Sequence, residues 1–425
     1  MTQVVGLDIG TSAVRAAELE IGGAAPVLVA FGQVGLPPGA IEDGEVQDRS
    51  AVADAISRLW ENGGFTSRSV VVGIAGLRAI TRELDLPWVP DDEVDSAVRF
   101  QSEEVIPFPP DKTLLSAQVL GDMGSDGTRT RRVLVAAAHR DLVDGVVDVV
   151  GRAGLDVQGV DLVSSALVRA LVDKGDLGQD PEAIVSVGAG LSVVVVHQQG
   201  RPLFVRTIGS GGNAATAAIS AGLDVPLVDA EAIKRHLGEL GPQTKAAERA
   251  VTGCLRDLVG EIRNSIQYFA SLPDRAPISR VLITGGGSML HGLVEALQAQ
   301  VRIPVTAISP LSRLDLSGVD LTPAQASVID PVLAAPIGLA LPEPNPEVKN
   351  FNLIPPEIRE QAFTRMVVRR TIAAAAAVGV LVLGFGAFRF WQVHSAQGNV
   401  TSLQASVAQL QSQIPTYDRA AAATN

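Results

Sequence analysis

The segment from Val4 to Arg15, Val-Val-Gly-Leu-Asp-Ile-Gly-Thr-Ser-Ala-Val-Arg, constrains the fold of this chain more than any other. It has the pattern of a short buried strand, a tight glycine turn and a second strand. Gly10 allows the backbone to turn and to approach a ligand closely, and Thr11 and Ser12 supply hydroxyls and backbone N–H groups that suit a phosphate. Asp8 ends the first strand and can hold Mg²⁺ through water, because that ion keeps most of its hydration shell. Taken alone, the same pattern also fits an ordinary β-hairpin.

A second hairpin of this kind follows about 180 residues later, in Ser186-Val187-Gly188-Ala189-Gly190. Each hairpin opens a run of three strand-like segments that is followed by helical patterns. This repeat at the scale of a domain predicts a duplicated α/β fold, with two lobes around one cleft. Two such hairpins that face each other can clamp a β,γ-phosphate between their backbone amides.

Three further features belong to the same predicted cleft. In Ile283 to Ser288 a strand runs into a helix, and its bare glycines let a purine and its ribose lie against the backbone. Glu231 and Lys234, at positions i and i+3, share one helix face and can reach the ribose and base. A glycine-rich turn also opens a helix near Asn213. The candidate nucleotide-binding residues are Asp8, Gly10, Thr11, Ser12, Gly188, Ala189, Gly190, Gly211, Gly212, Asn213, Glu231, Lys234, Gly285, Gly286, Gly287 and Ser288.

In their order and spacing these turns resemble the actin–hexokinase–chaperone superfamily, and from Gly6 to Leu341 the chain is similar to the PilM family of type IV pilus assembly proteins. Gln101 to Phe108 and Val133 to His139 resemble the insertion domain that this family shares with the cell-division protein FtsA. Arg206 to Asn213 and Glu261 to Phe269 also match PilM patterns. The resemblance implies a duplicated actin-like (ribonuclease H-like) two-lobe fold with an inserted α+β subdomain. It also implies ATP and Mg²⁺ as cofactors, and a cytoplasmic ring or scaffold at the base of the pilus machine.

The C-terminal part has a different character. Thr371 to Phe388 contains no charge, and with Arg389, Phe390 and Trp391 it approaches the roughly 20 residues that a membrane helix needs. Arginines before it and aromatic residues after it favour a membrane helix with the basic side in the cytoplasm. The alternative is a buried, alanine-rich core helix. Apolar residues spaced through 400–414 predict the start of a coiled coil.

This tail resembles the PilN family, in which an Asn-Leu-Leu-Pro-like peptide docks on PilM and precedes one membrane helix and a coiled coil. Asn352, Leu353, Ile354 and Pro355 match that peptide, with Ile in place of Leu. The resemblance implies docking in a groove beside the inserted subdomain, on the same or a neighbouring chain. It also implies partners of the PilN and PilO type, self-association, and cytoplasmic N-terminal domains anchored to the inner membrane by a single C-terminal span.

These observations predict a division of the chain into successive parts. Its predicted parts are lobe I over 1–76 and 155–180, an inserted subdomain over 77–154, lobe II over 181–341, a linker over 342–350, a docking peptide and basic juxtamembrane segment over 351–370, a transmembrane helix over 371–391 and a periplasmic coiled-coil start over 392–425.

Charge and acid placement limit the function. The net charge of −12 argues against a nucleic-acid partner, and the five histidines are too scattered for a metal site. Relatives usually begin the second hairpin with aspartate, where this chain has Ser186, so the resemblance implies that ATP binding survives better than hydrolysis. Asp161 lies where the superfamily often places a water-orienting catalytic acid; it is alternatively a helix N-cap.

Three functions remain open at this stage. An ATP-binding scaffold of the type IV pilus inner-membrane platform is favoured. The alternatives are an active ATPase or small-molecule kinase of the same superfamily, and an FtsA-like cell-division protein. A full membrane span in place of an amphipathic surface helix argues against the last of these.

Overall fold

The computed structural model describes residues 2–124, 129–175, 177–237, 245–273, 275–358, 379, 381–392 and 398–412. It contains two compact units, Met1–Pro355 and Pro356–Asn425, which are described separately.

Lobe I is built on a five-stranded sheet in the order β10-β6-β1-β2-β3, in which β10 is the strand Asp156–Leu162 that follows the insertion. Its elements before the insertion are β1 (Thr2–Ile9), β2 (Ala13–Ile21), β3 (Val27–Gly35), the short pair β4 (Ile41–Glu42) and β5 (Glu45–Val46), helix α1 (Arg49–Gly63) and β6 (Ser69–Ile74). Strands β1, β2 and β3 are antiparallel neighbours, and β1 runs parallel to β6. The carboxylate of Asp48 caps the start of α1, and Gly64 ends the helix at a φ of 70°, which favours glycine.

The insertion is a three-stranded sheet in the order β7-β9-β8 with one helix on it. Its elements are β7 (Ala79–Pro87), α2 (Val94–Gln101), β8 (Thr113–Met123) and β9 (Thr130–His139). The apolar face of α2 is buried with the strands: Val94 and Val98 share a core with Leu86 and Val133. An inserted α+β subdomain is what the family resemblance implies.

Helix α3 (Arg140–Arg152), which the sequence analysis places in the inserted subdomain, packs against α1 and against β10 (Asp156–Leu162). It connects the insertion to β10, which runs parallel to β6, and parallel strands need such a crossover helix on the sheet face. We therefore propose to end the inserted subdomain at His139 and to assign α3 to lobe I. Helix α4 (Val163–Leu171) then leads to lobe II.

Lobe II repeats the sheet of lobe I, in the order β13-β12-β11-β14-β15. Its elements are β11 (Glu182–Val187), β12 (Ser192–Gln198), β13 (Arg201–Ile208), α5 (Gly212–Leu223), α6 (Leu227–Arg235), α7 (Lys245–Ser271), β14 (Arg280–Thr284), α8 (Leu293–Val301), β15 (Val305–Ala307), α9 (Pro323–Ile329) and α10 (Ala334–Ala340). The first three strands are again antiparallel, and the last two are parallel to β11 or to each other. The duplicated two-lobe α/β fold predicted from the glycine turns is confirmed.

One predicted helix start is wrong. The pattern from Met289 predicts a helix that follows the third glycine turn directly, but α8 begins at Leu293. A 3₁₀ turn, Gly286–Met289, comes first, and Gly292 then takes a φ of 82°. That left-handed residue interrupts the helical path, so the helix restarts one turn later.

In the second unit, the described residues of 381–392 and 398–412 are helical and exposed. Within the described parts of the chain, the structure contains no helix that is both long and apolar enough to cross a membrane. The predicted transmembrane helix, 371–391, lies partly outside the described residues, which omit 371–378 and 380. Of the predicted coiled-coil start, Val400, Leu403, Val407 and Leu410 are exposed on the second helix.

The lobe II sheet buries a histidine whose protonation opposes folding. His197 on β12 is 2% exposed, and in the described part of the chain neither ring nitrogen has a hydrogen-bond partner. Its Nε2 lies 3.7 Å from an oxygen of Glu182. Burial, reinforced by the nearby Arg280 guanidinium, lowers the pKa of His197 to about 4. The ring is therefore neutral in the folded protein at pH values where it is charged in the unfolded chain.

Acidification is expected to destabilise the protein through His197. The unfolded chain binds this proton near pH 6.5 and the folded chain near pH 4, so the contribution is complete above pH 6.5 and is lost as the pH falls. By pH 5 the loss amounts to about 2 kcal/mol. Urea unfolding of wild type and His197→Leu at pH 7.5 and pH 5 measures it, with exposed His236→Leu as the matched control. An equal pH dependence in wild type and His197→Leu would contradict the assignment.

Candidate functional site

The two predicted phosphate hairpins have the same turn and face each other. The amide of Gly10 donates to the carbonyl of Ala13 at 3.0 Å, and the amide of Gly188 donates to that of Leu191 at 2.9 Å. A Cβ atom added to Gly190 would lie 2.8 Å from Oγ1 of Thr11, closer than real Cβ atoms come. The turn of lobe I therefore contacts the turn of lobe II directly.

Asp8 ends β1 beside this contact. The hairpin register pairs Asp8 with Arg15, whose Nη1 lies 3.6 Å from Oδ2 of the carboxylate. Burial raises the pKa of Asp8, and the Arg15 charge opposes that rise. The sequence analysis missed Arg15, although a hairpin that turns at 10–12 places residue 15 opposite residue 8.

The third glycine turn packs against the base of the second hairpin. Gly285 has a φ of 86°, and a Cβ added to it would lie 2.5 Å from the carbonyl oxygen of Val187. A Cβ added to Gly287 would also collide with the Val187 side chain. The Ser288 side chain bonds within its own turn, because its hydroxyl donates to the carbonyl of Gly285 at 2.7 Å. Only glycine allows β14 to end this close to β11, so Gly285 and Gly287 are required by packing as well as by any ligand.

The start of α5 holds the second hairpin in place. The amide of Gly212 donates to the carbonyl of Gly188 at 2.9 Å, and the amide of Asn213 donates to that of Ala189 at 2.8 Å. A Cβ on Gly211 would lie 2.5 Å from the same Gly188 oxygen. These two helix amides are thus already used, so they position the hairpin that a phosphate would meet.

Glu231 and Lys234 on α6 form an ion pair next to the start of α5. The Lys234 ammonium lies 2.6 Å from Oε2 of Glu231 and donates to the carbonyl of Gly212 at 3.1 Å. The Thr216 hydroxyl donates to the same Glu231 oxygen at 2.6 Å. Against the effect of burial, the bonds from Lys234 and Thr216 lower the pKa of Glu231. The charged form of Glu231 is therefore favoured, and the pair lies beside the start of α5.

Asp161 makes its hydrogen bonds with other residues, although the sheet register sets both Asp8 and Asp161 opposite Gly73 of β6. Its Oδ2 accepts from Arg169 at 2.6 Å and its Oδ1 from the Leu162 amide at 2.7 Å. Arg169 also donates to Glu343 at 2.7 Å and to the carbonyl of Gly338 at 2.6 Å, and all three charged side chains are almost fully buried. Burial raises the pKa of Asp161, which Arg169 opposes. Both oxygens of this buried carboxylate thus accept hydrogen bonds within the protein, an arrangement that favours a structural role for Asp161.

A second site lies where the predicted docking peptide crosses the first unit. Phe351, Leu353 and Ile354 are buried, at 2%, 1% and 6% exposure, and Pro355 is buried as well. The segment therefore belongs to the core of the unit that ends at Pro355, although it follows a proline-rich linker.

Hydrogen bonds from backbone and side-chain groups fix this segment to both lobe I and the insertion. The Leu353 amide donates to the carbonyl of Val160 on β10 at 2.8 Å, and the Val160 amide donates to Oδ1 of Asn352 at 3.3 Å. The Asn352 amide donates to the Ser116 hydroxyl on β8 at 3.1 Å. The Gln118 side chain donates to the carbonyl of Lys349. The segment 349–355 thus occupies a groove between β10 and β8.

The linker reaches this groove by way of lobe II. Asn345 donates to the carbonyl of Gln199 at 3.3 Å, and Arg201 lies 3.5 Å from Glu347. With the Glu343–Arg169 pair at its start, the segment 343–355 contacts lobe I, lobe II and the insertion in turn.

Two lobes with the same sheet order, and glycine hairpins facing each other between them, define a protein of the actin-like class. Residues 6–343 match the model of the family described as type IV pilus assembly protein PilM. The chain belongs to the PilM family of type IV pilus assembly proteins, as the sequence resemblance predicts. The match ends at the residue before Pro344, so the docking segment lies outside it.

Individual relatives agree with this assignment. A chain in a solved PilM–PilN type IV pilus biogenesis complex is 27% identical to this one and superposes with a TM-score of 0.72. The match covers 81% of this chain and 99% of the chain in that complex. The cell division protein FtsA of Neisseria meningitidis serogroup B is 26% identical over 375 residues, which is 77% of this chain and 89% of that protein. FtsA of Streptococcus pneumoniae is 24% identical over 347 residues, 72% of this chain and 75% of that protein.

Proposed function

We propose that this protein is an ATP-binding, actin-like scaffold that ties the cytoplasmic part of the type IV pilus assembly platform to the inner membrane. The proposal rests on the segment 349–355, which lies between β10 and β8 and is held there by a backbone hydrogen bond to Val160 and by side-chain hydrogen bonds that include the Ser116 hydroxyl. The similar solved structure is a PilM–PilN complex. In this chain a PilN-like peptide follows the PilM-like part on the same polypeptide, so the scaffold carries its own docking segment.

The nucleotide would lie at the two facing hairpin turns, 10–12 and 188–190. The facing turns of Thr11 and Gly190 would hold the phosphates with their amides, and Asp8 would hold Mg²⁺ through water. The turn at Gly286 offers bare backbone to the base and ribose, and the Glu231–Lys234 pair stands beside it on α6. Every predicted nucleotide-binding residue thus belongs to one of these four elements or to the start of α5, where Gly211, Gly212 and Asn213 would hold the second hairpin in place.

Turnover should be slow in this arrangement. The second hairpin has Ser186 where a carboxylate would assist the attacking water, and Asp161 is held by Arg169 at 2.6 Å. Loss of one positioned polar group costs roughly 10²–10⁴-fold in rate. Phosphate release faster than about 1 s⁻¹, within the ordinary range of enzymes, and abolished by Asp8→Ala, would favour the ATPase or kinase alternative instead.

The tail would make membrane attachment permanent. Residues 371–391 are proposed to span the inner membrane, with the first unit in the cytoplasm, 392–425 in the periplasm and PilN- and PilO-type proteins or further copies as partners. The short linker 342–350 keeps the docking segment at roughly millimolar effective concentration near its groove. Its own groove is then filled without dependence on the abundance of a second protein.

The docked segment should exclude a free copy of itself. A labelled peptide of residues 349–356 is expected not to bind the full wild-type chain in detergent, because the tethered segment competes at roughly millimolar concentration. Leu353→Asp places a charge at a site with 1% exposure and should empty the groove. That variant should bind the peptide with micromolar affinity, measured by fluorescence anisotropy.

Val328→Asp is the matched control, since Val328 is an exposed apolar residue on α9, at 63% exposure. It should behave as wild type and leave the peptide unbound. Tight binding of the peptide to wild type, or none to a folded Leu353→Asp variant, would refute docking within one chain.

A further inference from the structure

A cavity of about 700 Å³ opens between the inserted subdomain and lobe II, away from both sites described above. Its walls are β7 of the insertion, β13 of lobe II and the end of α7. Neither the nucleotide proposal nor the docked segment uses it.

Two unpaired strand edges line this cavity. Strand β7 is an edge of the inserted sheet and β13 is an edge of the lobe II sheet. The strands approach each other near Leu77, since a Cβ on Gly209 would lie 3.4 Å from Cδ1 of Leu77. Beyond this point 79–83 on one edge and 203–207 on the other face the cavity. Edge strands present free N–H and C=O groups, which are a template for another extended segment.

The cavity also offers apolar and aromatic surface. Phe204 of β13 and Tyr268 of α7 lie with ring centroids 5.7 Å apart, and Tyr268 is 55% exposed. Leu203 and Leu272 extend this surface. An exposed tyrosine beside an apolar wall is a common anchor at protein interfaces.

The charges around the cavity are unbalanced. Its two carboxylates are already paired, Asp85 with Arg132 at 2.7 Å and Glu83 with both Arg132 and Arg275. Among the described residues no carboxylate lies within ion-pair distance of Arg82, which is exposed. Arg206 pairs only across the surface with Glu261, where both side chains are nearly half exposed, and such pairs contribute little. The cavity therefore attracts negative charge.

We propose that this cavity docks an extended segment of a partner protein in which acidic and apolar residues alternate. The segment would add as a strand to the free edge of β7 or β13, because main-chain hydrogen bonds give affinity in this mode and alternate side chains give specificity. Its apolar residues would contact Phe204 and Tyr268. Its carboxylates would pair with Arg82 and Arg206, for which charge-assisted hydrogen bonds are the strong kind.

Two peptide pools test this proposal on the full chain immobilised in detergent. Both contain heptapeptides with Val, Ile or Phe at odd positions; even positions are Asp or Glu in one pool and Lys in the other. Retention, quantified by mass spectrometry, should favour the acidic pool about tenfold. The acidic pool should also protect amides of β7 or β13 from hydrogen exchange.

The double variant Arg82→Glu with Arg206→Glu should reverse this preference, so that the lysine pool is retained more. Arg58→Glu with Arg256→Glu, at two exposed arginines outside the cavity, is the matched control and should keep the wild-type preference. Equal retention of both pools by wild type, or a preference that the cavity variant leaves unchanged, would overturn the proposal.

Discussion

Replacement of Arg169 by methionine is expected to lower the free energy of unfolding of the first unit by about 3–5 kcal/mol at neutral pH. The guanidinium is inaccessible and bridges Asp161 at 2.6 Å and Glu343 at 2.7 Å. Without it two buried carboxylates lose their counter-charge, and burial already raises the pKa of both. Denaturant unfolding, followed by circular dichroism, gives the difference directly.

A compensated variant separates charge from packing. Arg169→Met combined with Asp161→Leu and Glu343→Leu removes all three charges, and it should recover to within about 2 kcal/mol of wild type, because apolar replacement of a buried ion network is often tolerated. Arg152→Met, which breaks a half-exposed pair with Asp148 at 2.8 Å, should change stability by no more than about 0.5 kcal/mol. A single Arg169→Met variant as stable as the Arg152→Met control would show that the network is dispensable.

This network also marks the limit of what the sequence predicts. Local patterns suffice to predict the hairpins, because a glycine turn between two apolar runs specifies its own geometry. The amides of Gly10 and Gly188 each donate to the carbonyl three residues later in the chain. The antiparallel order of the first three strands in each lobe follows from that repetition. Asp161, by contrast, has the same local appearance whether it faces a cleft or a buried arginine. Its partners, Arg169 and Glu343, are brought to it by α4 and by the linker, and nothing in the residues beside Asp161 indicates them.

For the glycines, too, the sequence indicates only part of the role. The sequence predicts Gly285 as a contact of the purine and ribose and Gly211 as part of a helix start beside the cleft. The structure shows that both allow close contact with the second hairpin, since an added Cβ would lie 2.5 Å from a carbonyl oxygen of that hairpin. The resemblance to the PilN family predicts the docking segment. The position where it binds depends on Ser116 and Val160, which lie about 190–240 residues earlier in the chain. The cavity between β7 and β13 has no sequence signature, since it exists only where two sheet edges from different subdomains meet.

The largest effect on ligand binding is expected from Gly190→Ala. A methyl group there would lie 2.8 Å from Oγ1 and Cγ2 of Thr11, so the Thr11 side chain or the turn that carries it has to shift. We expect the two turns to separate, which would keep their amides from converging on one phosphate of the proposed ligand. A hydrogen bond to a charged group contributes about 1.5–3 kcal/mol. Loss of one or two such bonds, about 1.5–6 kcal/mol in all, should weaken ATP binding by roughly 10- to 10⁴-fold, measured by calorimetric titration with magnesium present. Gly190 does not have a positive φ, so alanine adds no backbone strain of its own.

Gly253→Ala provides the control, because the space beside Gly253 on α7 is open; it should bind ATP as wild type does. Thr11→Ala removes the two atoms that the new methyl group meets. The double variant Thr11→Ala with Gly190→Ala should therefore lose less affinity than the two single losses added together, as neighbouring sites that share one contact do. Unchanged ATP affinity in a folded Gly190→Ala variant would mean that the facing hairpins do not bind a nucleotide. If the affinity loss of the double variant equalled the sum of the two single losses, the effect of Gly190→Ala would not arise from its contact with Thr11.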